Sequence, residues 1–77
     1  MLLAQSTTCR SAPNAEIRRA IELAPTLQPM FRRGPDTDTL QAPGDRRDGC
    51  HFSGQGRAKA ARLWAASILA EHPPGPP

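Results

Sequence analysis

The 77-residue chain has no tyrosine, one tryptophan and two phenylalanines, and it also lacks valine. Large apolar side chains are therefore few, and a chain this short buries only about 60% of its unfolded surface, so a self-sufficient core is marginal. No apolar run approaches the roughly 18 residues that span a bilayer. The opening Met1-Leu2-Leu3-Ala4-Gln5 lacks the basic start and the apolar stretch of a secretory signal. The chain reads as soluble and unexported, with the cytoplasm as the default compartment. Only two cysteines occur, Cys9 and Cys50, far apart in sequence. Without an export signal, two reduced thiols are the expectation.

Alanine (12), arginine (9), proline (9) and glycine (6) make up much of the chain instead. The net charge of +3 arises from ten basic and seven acidic residues. The basic residues fall in pairs, Arg18-Arg19, Arg32-Arg33 and Arg46-Arg47, with acids nearby, and form no continuous basic run. This distribution reads as solvated surface rather than as a nucleic-acid interface. Neither nucleic acid nor membrane is expected as a partner.

Proline and glycine divide the chain into four pieces. Met1 to Thr8 opens with Leu2-Leu3-Ala4, a run suited to a short buried strand. Asn14 then stands as a helix N-cap, with Glu16 in the first turn and Ile17, Ala20, Ile21 and Ala24 at helical spacing until Pro25 ends the pattern. Residues 26–49, punctuated by Pro29, Gly34, Pro35, Pro43 and Gly44, read as a long irregular connection. Ser53 caps a second helix with Ala58, Ala61, Trp64, Ala65, Ile68 and Leu69 on one stripe, stopped at His72-Pro73-Pro74. The Pro-rich residues 73–77 read as a structureless tail.

The segment richest in chemistry is Asp48-Gly49-Cys50-His51-Phe52-Ser53-Gly54-Gln55-Gly56. In a turn eased by Gly49, a three-residue spacing brings the Asp48 carboxylate to the Nδ1 proton of His51. That contact fixes the tautomer and leaves Nε2 as the acceptor of a general base. An Asp and a His three apart also occur commonly in surface loops, so spacing alone is weak. A zinc site from Cys9, Cys50, His51 and His72 is poorly spaced, because Cys50 and His51 are adjacent and the other two lie at distant ends. No cofactor or metal is expected.

Asp48-Gly-Cys-His-Phe-Ser-Gly-Gln-Gly, followed by a helix with Ala61, Leu63 and Trp64, closely resembles the last block of the SGNH (GDSL-type) hydrolases, in particular the sialate O-acetylesterase-like carbohydrate esterases. Ala4-Gln5-Ser6-Thr7, the helix from Asn14 to Ala24, and Gly34-Pro35-Asp36-Thr37-Asp38-Thr39-Leu40 follow the same order. The resemblance covers about Leu2 to Glu71 and assigns residues 1–72 to the C-terminal part of such a domain. It implies an α/β fold: one strand, two helices and a long loop from a flavodoxin-like three-layer α/β/α hydrolase acting on acetylated carbohydrates. His51 would be its catalytic base and Asp48 the orienting carboxylate.

The family's Gly-Asp-Ser block is absent: Ser6, Ser11, Ser53 and Ser67 lack that context, and the only asparagine, Asn14, is explained as a cap. The expectation is a truncated Ser-His-Asp hydrolase, inactive alone, whose partner is the missing N-terminal part of the domain. The alternatives are a spurious or decayed reading frame, or a small basic helical interaction module without catalysis.

Overall fold

The computed structural model describes residues 1–71; the expected helix stop at His72-Pro73-Pro74 and the expected tail at 73–77 lie outside the described residues. Strand β1 (Leu2–Gln5) leads to helix α1 (Ala15–Leu27), then strand β2 (Arg32–Asp36), a 3-10 turn (Thr37–Thr39), and helix α2 (Gly54–Glu71). Over the described residues the fold is a small mixed α/β arrangement with two strands and two helices. The two strands pair in parallel, which α1 makes possible by carrying the chain back along the sheet.

β2 corrects the reading of residues 26–49 as wholly irregular. Its sequence Arg-Arg-Gly-Pro-Asp carries almost no strand signal. Pairing with β1 imposes the extended form: Leu2 opposes Arg32, Leu3 opposes Arg33, and Gln5 opposes Asp36. The register slips between Leu3 and Gln5, opposite Gly34-Pro35, where Pro35 offers no N–H to the ladder. Gly34 permits the close approach, because a Cβ there would stand 2.8 Å from the Leu3 carbonyl.

Helix α1 starts as its sequence dictates, with Asn14 Oδ1 accepting from the Ile17 amide at 2.9 Å. Pro25 does not end it. The proline sits in the last turn, where its missing N–H forfeits one bond to Ile21, and the Gln28 amide still closes on the Ala24 carbonyl at 3.0 Å. Ile21 and Ala24 are half-buried, while Ile17, Leu23 and Leu27 face outward.

Helix α2 is capped by Ser53, whose Oγ accepts from the Gly56 amide at 3.0 Å. It packs against β2. The face turned inward is Gly56, Ala60, Leu63 and Ser67, joined by Trp64. The expected stripe is thereby corrected: Ala58, Ala61, Ala65, Ile68 and Leu69 are exposed, and only Trp64 of that set is half-buried. The smallest residues face inward because the helix start lies almost on the preceding loop. A Cβ at Gly56 would collide with the Asp45 carbonyl.

Among the described residues Leu40 and Ala60 are the core's buried hydrophobic side chains, beside the buried Pro35 of β2. Thr8, Thr37, Asp38 and Asp45 are buried as well, so polar groups outnumber apolar ones in the interior. Such burial is tolerable only when each polar group is hydrogen-bonded.

Candidate functional site

The β1–α1 and β2–α2 connections meet at one end of the sheet and build a hydrogen-bonded cluster. Asp38, 3% exposed, is at its centre. Its Oδ1 accepts from the Thr7 amide at 2.7 Å, the Thr8 amide at 2.9 Å and the Thr8 hydroxyl at 3.0 Å. Its Oδ2 accepts from the Thr7 hydroxyl at 2.6 Å and from Arg18 at 2.8 Å. Burial alone would raise the Asp38 carboxyl, but these donors outweigh it and hold the group well below the usual carboxylate range. Arg18 also reaches Asp36 through both terminal nitrogens, at 2.9 and 2.8 Å, a bidentate pair. Hydrogen bonds to Asp36 and then Asp38 raise the Arg18 guanidinium further above its ordinary value.

Arg46 performs a similar task for the next loop. Its guanidinium donates to the carbonyls of Leu40 (3.2 Å), Thr37 (3.0 Å) and Cys50 (2.8 Å). It also stacks over the Phe52 ring, 4.5 Å from the centroid. Arg46 is thus half-buried, correcting its reading as part of a solvated pair with Arg47. The signal available in the sequence was the spacing of Arg46 and Phe52 about a Gly-containing turn, since those two residues oppose each other in an antiparallel bridge.

Asp45 is a second buried carboxylate that the sequence did not single out. It accepts from Lys59 at 2.8 Å, Gln55 at 3.0 Å and the Ala42 amide at 3.1 Å. Lys59 first, and Gln55 next, hold its carboxyl below the usual range. The contacts with Gln55 and Lys59 fasten the start of α2 to the loop before it.

Asp48 and His51 stand on the turn that these groups hold. Asp48 Oδ1 accepts from the Cys50 amide at 2.9 Å and the His51 amide at 2.6 Å. Asp48 Oδ2 lies 2.7 Å from His51 Nδ1. An ionised carboxylate only accepts, so Nδ1 carries the proton that faces Asp48, and in the neutral imidazole Nε2 is the acceptor. The His51 ring, then the His51 and Cys50 amides, hold the Asp48 carboxyl well below the usual carboxylate range. The Arg47 amide donates back to the His51 carbonyl at 3.0 Å and closes the turn. The His51 side chain is 63% exposed and borders an open cavity shared with Arg47, Phe52, Ser53 and Arg57.

The serine in that cavity is already engaged. Ser53 Oγ donates to the Gly44 carbonyl and accepts from the Gly56 amide, so it serves the start of α2. The arrangement therefore contains an oriented, largely exposed imidazole and no free hydroxyl beside it in the cavity lining. Cys9 and Cys50 form a disulfide, which corrects the expectation of two reduced thiols. Folding brings the β1–α1 connection onto the His51 turn, a proximity that sequence separation does not reveal. Their bonded sulfurs are not thiolate ligands, and among the described residues no group of three or more His, Cys, Asp or Glu side chains could hold a metal ion. His72, the fourth residue of the zinc arrangement, lies outside the described residues. Comparison with protein-family models, with curated proteins and with solved structures finds no match to this chain.

Proposed function

We propose that this chain carries the base-and-orienter portion of an SGNH-type carbohydrate O-acetylesterase, with the nucleophile supplied by a segment outside these 77 residues. The observation that carries the reading is the Asp48–His51 contact of 2.7 Å, with the other carboxylate oxygen fixed by two amides of the same turn. A carboxylate held on two sides orients the imidazole, and its Nε2 takes a proton from a serine hydroxyl and later returns it to the leaving group. Asp48 is the orienting residue and His51 the base. The parallel β1–α1–β2 unit followed by α2 is compatible with the C-terminal end of a flavodoxin-like three-layer fold. The substrate class implied is an O-acetylated sugar.

Base and orienter alone activate nothing, so the 77-residue chain is inactive toward esters. The test is to sequence the DNA upstream of Met1, translate its three forward frames, and express any in-frame extension that contains Gly-Asp-Ser. The extended chain releases acetate from O-acetylated sugars, and His51→Ala lowers kcat at least about a thousandfold. Absence of Gly-Asp-Ser from every frame, or an extended chain whose turnover survives His51→Ala, overturns the reading.

A further inference from the structure

The Cys9–Cys50 disulfide lies immediately before His51 in sequence and crosses to a segment 41 positions away. At that crossing the Arg10 amide donates to the Gly49 carbonyl at 2.8 Å. Both partners have left-handed backbones, with φ of 60° at Arg10 and 78° at Gly49. Glycine adopts this conformation freely, whereas a long side chain such as arginine does so at a cost and only where its surroundings impose it. Arg10 is the only non-glycine with positive φ among the described residues. It directly follows the half-cystine Cys9, and it lies against the turn that presents Asp48 and His51: a Cβ on Gly49 would stand 3.5 Å from Arg10 Cα. Cys9 is exposed, so a reductant can reach the bond.

We propose that this disulfide is a redox-sensitive clasp that sets how firmly the Asp48–His51 turn is held. A small dithiol is a sufficient reductant. Its first thiolate attacks the Cys9 sulfur and expels the Cys50 thiolate; its second closes a cyclic disulfide and expels Cys9. Two electrons pass to the protein, and each released thiolate takes a proton. Arg10 then relaxes out of its left-handed conformation and the Arg10–Gly49 hydrogen bond opens, which leaves the Arg46 bridge from the Cys50 carbonyl to the Thr8 carbonyl as the turn's weaker tie to the β1–α1 connection. The Arg46 contact to the Cys50 carbonyl and the Asp45 ties to α2 do not involve sulfur, so the loosening is local. The clasp acts on the geometry of the turn and does not depend on the ester-hydrolysis reading.

Amide hydrogen exchange on the full chain tests this, comparing the oxidised protein, the protein in dithiothreitol, and the Cys9→Ser/Cys50→Ser variant. Reduction and the double variant both speed exchange at the Arg10 and His51 amides about tenfold or more, while the α2 amides around Ala60 change less than about twofold. Reoxidation restores protection in the wild-type chain alone. Three results overturn the proposal: free thiols in the air-oxidised protein, unchanged His51 exchange on reduction, or equal loss of protection at His51 and Ala60, which would make the bond a global staple. None of these bears on whether an upstream Gly-Asp-Ser exists.

Discussion

The loop cluster and the helices of this chain are stabilised by different means. In the cluster, Asp38, Asp45 and Arg46 each gather several partners, and buried carboxylates serve as the points on which the β1–α1 and β2–α2 connections converge with α1 and α2. On the helices, Ile17, Leu23 and Leu27 of α1 and Ile68 and Leu69 of α2 stand exposed, although large apolar side chains of this kind commonly supply a core. Directional hydrogen bonds specify one end of the molecule, whereas the non-directional hydrophobic effect is only partly used at the other. A site can thus be held in place within a chain whose apolar surface is largely uncovered when its buried carboxylates find their donors, although Gln5 Oε1 is a buried acceptor with no partner.

The sharpest way to break this contrast is acid. Asp36, Asp38, Asp45 and Asp48 all have carboxyls lowered in the folded chain. A depressed folded value means that the stabilisation is fully present above the ordinary carboxylate range and is lost as pH falls through that range toward the folded values. Melting followed by circular dichroism should therefore show an unchanged transition between pH 7 and about 5 and a progressive loss below about pH 4. A transition equally stable at pH 2.5 would show that the cluster does not hold the fold.

A narrower break is Asp38→Ala. It strands the Thr7 and Thr8 donors and leaves Arg18 with Asp36 alone, and removing one partner of a buried charged network costs about 3–5 kcal/mol. Urea denaturation should report a loss of that order, and a change below about 1 kcal/mol would place the stability elsewhere. The smallest effect is expected on the uncovered side. Ile68→Glu on the exposed face of α2 should shift stability by no more than about 0.5 kcal/mol in the isolated chain. A much larger loss in the same denaturation experiment would mean that this face is packed.

Much of the local structure was legible in the residues themselves. Asn14 and Ser53 cap their helices because a short polar side chain is the local partner for an otherwise unpaired amide, and that requirement depends only on neighbours. The Asp48–His51 contact belongs to the same class, since three residues and a glycine suffice to form it. Strand β2 was not legible: Arg32-Arg33-Gly34-Pro35-Asp36 becomes a strand through its partner, and Gly34 matters only because Leu3 crosses there. The inward face of α2 was misread for a related reason, as hydrophobic periodicity identifies the greasiest stripe, whereas the approach of Gly56 to Asp45 selects the smallest.

The sequence by itself determined the two helix starts and the carboxylate–imidazole pair, because caps and turns are closed by atoms only a few residues apart. Tertiary structure alone decided the parallel pairing of β1 with β2, the burial of Asp38 and Asp45, the bridging of the β1–α1 and β2–α2 connections by Arg46, and the joining of Cys9 to Cys50. Most of those contacts span tens of residues, and their partners become neighbours only after the chain has folded.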